Sequence, residues 1–442
     1  MRSETAVMGE RRLGGIAHLD GTITVPGDKS ISHRALILGA LIRGRSYIGN
    51  LSPAADVTAT ADVLRSCGGA VRPFDAGRVS LDGAGPGRTL RSPSSALDCA
   101  NSGTTMRLMA GVLAAHDLTA TLDGDASLRR RPMDRVAQPL NAVGAVVTTS
   151  DGHAPMHITG TATPAGIEHR LAVASAQVKS AILFAGLNAQ GPTIVHEQLP
   201  TRDHTERLLH ACGADLSSDG AVITLRPEPL DPFGIAIPGD MSSAAFFLAL
   251  AAARPGWRVR CPGVGVNPGR TGVLDVLQAM GAGVEVEEAS MAAGVEPVGD
   301  VTVRGASLHG VTVHPDLVPR CIDELPAIAV VATQAEGRTE IHGAGELRNK
   351  ESDRLGALVT GLRALGATVE EIPDGLIIDG PVRLRPARLD AAGDHRLAMA
   401  WTIAAALVAA EDGESTIAGA GCVAVSYPGF FDDLATLVAA SR

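Results

Sequence analysis

The chain of 442 residues repeats one pattern six times. In each copy a polar cluster opens an apolar segment of about three helical turns, which stops at a glycine or polar turn and gives way to a short β-rich run. The openings are Asp28-Lys29-Ser30, Asn101-Ser102-Gly103, Ser175-Ala176-Gln177, Asp240-Met241-Ser242, Asp323-Glu324 and Asp394-His395-Arg396, with first residues 73, 74, 65, 83 and 71 apart. A second repeat interleaves with the first: an amphipathic helix ends in Gly, and alternating strands follow, often around an Asp-Gly pair. Gly213 with Asp219-Gly220 and Gly366 with Asp374-Gly375 are the clearest copies; Gly144, Gly281 and, more weakly, Gly68 carry the same punctuation. Glycine just past a helix supplies a left-handed cap, and Asp-Gly suits a tight hairpin turn. Each unit therefore reads as strands plus two helices, an α/β repeat.

The first and fourth units match most closely. Val25-Pro26-Gly27-Asp28-Lys29-Ser30 aligns with Ile237-Pro238-Gly239-Asp240-Met241-Ser242 at an offset of 212. Pro-Gly-Asp is also a favoured turn and N-cap sequence, but a constant offset with matching helices points to duplication. The expectation is two similar three-unit domains, residues 1–25 plus 238–442 and residues 26–237, with hinges near 26 and 238.

Composition narrows the function classes. Apolar residues make up 45% and charged residues 19%, enough side-chain volume for packed cores. The net charge is −10 and aromatics are 2%, whereas a nucleic-acid binder favours a basic stripe and stacking rings. The longest uncharged apolar stretch, Leu397 to Ala410, is 14 residues, short of the ~20 that span a bilayer. Residues 1–15 lack an apolar run of signal-peptide length, so the expected location is cytoplasmic. Six scattered cysteines without a C-x-x-C pair suit a reducing compartment and encode no zinc site.

Helix N-termini present unpaired N–H groups and partial positive charge, so a set of them suits a polyanionic ligand. Lys29, Arg34, Arg107, Lys179 and Arg396 lie in or just after four openings, and Arg129-Arg130-Arg131 and Arg348 to Arg354 add basic loops. Only three of the 38 basic side chains are lysines, Lys29, Lys179 and Lys350. All three fall in these openings or loops, where a compact, titratable ammonium differs from a guanidinium. Acids stand among the bases: Asp323 and Glu351 oppose an anion's charge, which suits proton transfer. Glu324 and Asp240 read equally as helix caps, and His395 as a relay or a buried polar residue, with the buried role favoured.

Val25 to Arg34, Asn101-Ser102-Gly103-Thr104-Thr105-Met106-Arg107, Arg131-Pro132, Ser175-Ala176-Gln177, Asn349 to Arg354 and Asp394-His395-Arg396 closely resemble the signatures of the 5-enolpyruvylshikimate-3-phosphate synthase family, from about Gly21 to Leu434. The resemblance implies two domains of three βαβαββ units each, the inside-out α/β barrel of enolpyruvyl transferases, closing on substrate. It implies transfer of the enolpyruvyl group of phosphoenolpyruvate to the 5-hydroxyl of shikimate 3-phosphate, with release of phosphate and no metal or organic cofactor. The implied partners are these two small molecules, with no nucleic acid and no membrane, acting on a monomer.

By the same resemblance Lys29 contacts both substrates and takes part in proton transfer. Ser30, Arg34, Ser175, Gln177, Arg202, Asp323 and Lys350 would bind shikimate 3-phosphate, and Gly103, Arg131, Gln177, Arg354 and Arg396 phosphoenolpyruvate. Asp323 would be the base for the 5-hydroxyl and Glu351 the partner in proton exchange at C3. Two features depart from the pattern or qualify it. Val425 stands where some members carry a lysine, and Ser175-Ala176-Gln177-Val178-Lys179 resembles a branch with glyphosate-tolerant members. Such members often have Ala where this chain has Gly103, so sensitivity is expected here. The rivals are the sister enzyme acting on UDP-N-acetylglucosamine, whose usual loop cysteine is Ala126 here, and a non-catalytic anion-binding or RNA-end-processing protein of related fold.

Overall fold

The computed structural model describes residues 9–72, 77–83, 85, 90–292 and 295–441. Contacts divide the chain into two units. The first comprises Met1–Pro26, Gly239–Ser290 and Pro297–Arg442; the second comprises Gly27–Pro238 and Met291–Glu296. The repeat pattern in the sequence assigns 291–296 to the domain of residues 238–442. Contacts place this segment in the second unit, where Val295 enters the core and its carbonyl accepts from Arg207 Nη1 at 3.3 Å. Each unit has its own hydrophobic core.

The six openings start the helices Lys29–Leu41, Gly103–Ala114, Ala176–Gly186, Met241–Ala252, Leu325–Ala332 and His395–Ala406. In five of them the opening's own side chain caps the helix: Asp28, Ser102, Ser175, Asp240 and Asp394 each accept an N–H two or three residues on. Glu324 makes no such bond; its Oε1 instead accepts from Ser242 Oγ. The helices are buried on nearly every side: all 12 residues of Met241–Ala252 and of His395–Ala406 are buried. This explains their lack of an amphipathic stripe. The strands alternate instead, as in Val222–Arg226, so the sheets carry the solvent face of each unit.

Among the described residues six small sheets, three per unit, complete the repeats. Their mixed pairing is clear in the second unit, where Glu168–Arg170 pairs parallel with Thr193–His196, which pairs antiparallel with Val222–Arg226, itself antiparallel to Asp215–Ser218. At the crossings near 26 and 238, a strand stays behind and a helix starts ahead. Asp20–Thr22 pairs with Arg258–Gly265 within the first unit, and Gly234–Ala236 pairs with Gly44–Gly49 within the second. Reciprocal backbone bonds seal them, Asp28 N–H to Pro238 O and Asp240 N–H to Pro26 O, each at 2.8 Å.

Gly68, Gly144, Gly213, Gly281 and Gly366 all have φ between 80° and 105° just past a helix, the left-handed cap that the punctuation predicts. One hairpin differs. Ile372 pairs with Gly375, so Pro373 and Asp374 form the turn and Gly375 begins the strand. A Cβ on Gly375 would lie 1.8 Å from Ile341 O, so close approach of the neighbouring chain requires this glycine. Among the described residues no helix is long and apolar enough to cross a membrane.

Candidate active site

In the second unit, the Asp28 cap fixes the first turn that carries Lys29 and Ser30. Lys29 Nζ donates to Asp56 Oδ2 at 2.7 Å, an acid from the first turn of the Ala55–Ser66 helix. One turn on, the buried Arg34 guanidinium donates from Nε to Thr205 Oγ1 and from Nη2 to Ser180 Oγ, both at 2.8 Å, and from Nη1 to Ser30 O at 2.9 Å. Burial pulls it down to about 10; Glu206 works against that fall and the neighbouring Arg202 with it. Arg34 thus remains charged at neutral pH with a second cation near enough to oppose its charge, a repulsion that an anion would relieve.

A second cluster surrounds the N-terminus of the Gly103–Ala114 helix. Arg131 Nη2 donates to Asn101 Oδ1 at 2.7 Å, and Arg107 Nη1 donates to Gln177 Oε1 at 2.5 Å. Gln177 in turn donates to Thr104 Oγ1 at 2.9 Å. A Cβ on Gly103 would lie 3.0 Å from Arg131 Nη1 and 3.1 Å from Arg107 Nη1, so two guanidiniums flank the bare Cα. Gln177 reaches this group because its helix packs tightly on Gly103–Ala114. At Gly111 a Cβ would lie 2.1 Å from Ala181 O. Ser175 caps the Gln177 helix by accepting from Val178 N–H at 3.4 Å.

In the first unit, Arg354 collects three carboxylates. Its Nε donates to Asp394 Oδ2 at 2.7 Å and its Nη1 to Asp323 Oδ1 at 3.3 Å, while Nη2 bonds Glu351 Oε2. Burial opposes the charge on Arg354, but Asp394, Glu351 and Asp323 together raise its pKa above the usual arginine value. Asp394 Oδ1 accepts from Arg396 N–H at 2.9 Å, and Arg396 Nη1 donates to Ser242 O at 3.2 Å. Lys350 is half-buried and precedes Glu351 at the end of a tight turn over Gly345–Asn349. His395 is buried. Among the described residues no group of His, Cys, Asp or Glu is placed to hold a metal ion.

The structure thus joins Asp323, Glu351 and Arg354 in the first unit. In the second it joins Ser30 with Arg34, and Gly103 with Arg131, Arg107 and Gln177. Reasoning from sequence missed Asp56, which lies 27 residues from Lys29 in an ordinary amphipathic helix. It also missed the pairing role of Asp394, whose position as a helix opening was the available signal.

A family model described as EPSP synthase (3-phosphoshikimate 1-carboxyvinyltransferase) matches residues 13–434. The curated 3-phosphoshikimate 1-carboxyvinyltransferase of Acidithiobacillus ferrooxidans is 50% identical over 415 residues, 94% of each chain. That of Salinibacter ruber is 47% identical over 421 residues, 95% of this chain and 97% of its own. Among solved structures, EPSP synthase from Acinetobacter baumannii superposes with a TM-score of 0.84 at 40% identity, covering 97% of this chain and 98% of its own. The enolpyruvyl transferase NikO from Streptomyces tendae, at 19% identity and TM-score 0.76, shares the fold. Coverage from end to end of both units shows that the chain belongs to the EPSP synthase family, with the two-domain enolpyruvyl transferase fold.

Proposed function

We propose that the chain is a 3-phosphoshikimate 1-carboxyvinyltransferase. It moves the enolpyruvyl group of phosphoenolpyruvate to the 5-hydroxyl of shikimate 3-phosphate and releases phosphate. The single observation that carries the reading is the buried Arg354 with Asp323 and Glu351 bonded to two of its nitrogens. Transfer requires an anion clamp beside groups that move protons, and this cluster supplies both.

The chemistry runs by addition and elimination. A proton is delivered to C3 of phosphoenolpyruvate, C2 becomes electrophilic, and the 5-hydroxyl oxygen bonds to C2 as its own proton leaves. Loss of a C3 proton from the resulting tetrahedral ketal phosphate then restores the double bond as the C2–O bond to phosphate breaks. Asp323 takes the hydroxyl proton and Glu351 exchanges the proton at C3, with Lys29 assisting. Arg354, Arg396, Arg131 and Gly103 hold phosphoenolpyruvate, the last by close backbone approach. Ser30, Arg34, Ser175, Gln177, Arg202 and Lys350 hold shikimate 3-phosphate.

The Asp56 contact fits this role for Lys29, since a carboxylate at 2.7 Å fixes the ammonium in place before substrate arrives. The reading extends to a monomer in a reducing compartment, the latter supported by six cysteines that are all buried thiols. Proton NMR of the product tests the assignment. An enol ether on the C5 oxygen of shikimate 3-phosphate is expected, and an unchanged acceptor after prolonged incubation contradicts it.

A further inference from the structure

Lys179 is the one lysine of the chain left without a role by the reading above. It lies in the first turn of the Ala176–Gly186 helix with 1% of its side chain exposed. Its ammonium bonds two acids, Glu197 Oε2 at 2.9 Å and Glu206 Oε1 at 2.6 Å, whose side chains are 4% and 7% exposed. Glu197 directly follows the strand Thr193–His196, and Glu206 lies in the first turn of the helix His204–Ala211. The segment between them carries Arg202.

The clamp continues into that segment. Thr201 Oγ1 donates to the second oxygen of Glu197 at 2.5 Å, so the chain is held immediately before Arg202. Beside the clamp, Ser180 and Thr205 hydrogen-bond each other at 2.7 Å, and both accept from Arg34. The residues next to Lys179 and Glu206 therefore fix the second cation of the same cluster.

We propose that Lys179, through Glu197 and Glu206, is a positioning residue that grips both ends of the 197–206 segment and holds Arg202 beside Arg34 to receive the phosphate of shikimate 3-phosphate. This rests on the functional reading above. A buried ion pair often contributes little net stability, and replacing it by apolar groups of similar volume is tolerated. A purely structural Lys179 would therefore affect both substrates alike. A clamp on Arg202 affects one.

Calorimetric titration of shikimate 3-phosphate, together with the KM for phosphoenolpyruvate, decides between them. Lys179→Met weakens shikimate 3-phosphate binding by roughly 5- to 50-fold, the range of coupling between neighbours in one network, and leaves the phosphoenolpyruvate KM within about twofold. Adding Lys179→Met to Arg202→Ala changes shikimate 3-phosphate binding by less than about twofold, because the group being held is already gone. Lys179→Met leaves two buried acids unpaired. The triple variant Lys179→Met, Glu197→Gln, Glu206→Gln removes that charge, and it shows the same selective loss of shikimate 3-phosphate binding with a recovered melting temperature. Native affinity in the folded triple variant, equal losses for both substrates, or full additivity with Arg202→Ala overturns the proposal. A wild-type protein that binds no shikimate 3-phosphate overturns the functional reading itself, and an Arg202→Ala variant with wild-type affinity overturns the role of Arg202 and the clamp with it.

Discussion

Arg354 and Asp394 form a buried ion pair, Nε to Oδ2 at 2.7 Å, with 2% and 0% of the two side chains exposed. The pair occupies one edge of the guanidinium and turns its remaining nitrogens to Asp323 and Glu351. The other oxygen of Asp394 holds the backbone N–H of Arg396. One carboxylate thus orients two arginines assigned to phosphoenolpyruvate. Asp394→Ala is expected to destabilise the protein by about 2–4 kcal/mol, the joint loss of a charge-assisted hydrogen bond to Arg354, which keeps Asp323 and Glu351 as partners, and of the cap on Arg396 N–H. Asp394→Asn, whose amide oxygen still accepts, loses about 1–3 kcal/mol. Urea unfolding measures both, and the Asn variant also shows a raised KM for phosphoenolpyruvate. An unaltered unfolding midpoint in the Ala variant contradicts the pairing role.

Asp323→Ala and Glu351→Gln should each lower turnover by about 10²–10⁴, the usual cost of losing a general acid or base. Shikimate 3-phosphate binding persists in the Glu351 variant. Lys29→Arg also fails, because the planar guanidinium fork does not reproduce the point ammonium that donates to Asp56. Steady-state rates check all three, and wild-type turnover in Lys29→Arg would show that the ammonium is dispensable.

On the proposed function, Gly103 is expected to set discrimination between phosphoenolpyruvate and the longer glyphosate. The wild type is expected to be sensitive. In Gly103→Ala the new methyl meets Arg131 and Arg107 at about 3 Å, and the ends of these flexible side chains must shift. The longer ligand suffers more from that intrusion. The glyphosate inhibition constant therefore rises by a larger factor than the phosphoenolpyruvate KM. Equal factors contradict the steric explanation.

His33 ties the Lys29 helix to the Gly103 helix. Its Nδ1 hydrogen-bonds Thr60 Oγ1 at 2.6 Å; Thr60 bonds Thr105 at 2.7 Å, and Thr105 donates to the cap Ser102 at 2.8 Å. Burial, with the charges of Lys29 and Arg34, holds the imidazole well below its ordinary pKa. The unfolded chain takes up a proton near pH 6.5 that the folded chain refuses. Stability is full above that pH and falls as the pH drops below it, by up to ~1.4 kcal/mol per unit. In urea titrations from pH 7.5 to 5, His33→Gln loses stability less steeply than wild type; equal slopes refute the assignment.

Local chemistry made five of the six helix openings legible, since a capping side chain and the helix it starts are contiguous; the sixth, at Asp323-Glu324, showed through the repeat spacing alone. The five left-handed glycines were legible for the same reason. The turn at Pro373-Asp374 was misread because Asp-Gly is ambiguous. Gly375 answers to a carbonyl on a neighbouring strand, which no local pattern displays. The site divides likewise. Lys29, Gly103, Asp323, Glu351 and Arg354 stand in recognisable motifs, whereas Asp56, Glu197 and Glu206 act on lysines 18 to 27 residues away. The move of Met291–Glu296 into the second unit depends on long-range contacts, among them the buried pair of His204 Nδ1 with Glu296 Oε1 at 2.7 Å.

Phosphate release from phosphoenolpyruvate, followed with shikimate 3-phosphate and then with UDP-N-acetylglucosamine as acceptor, tests the assigned reaction most directly. Turnover-dependent release is expected with shikimate 3-phosphate alone, one phosphate for each acceptor consumed. Release with UDP-N-acetylglucosamine instead, or none with either acceptor, contradicts it.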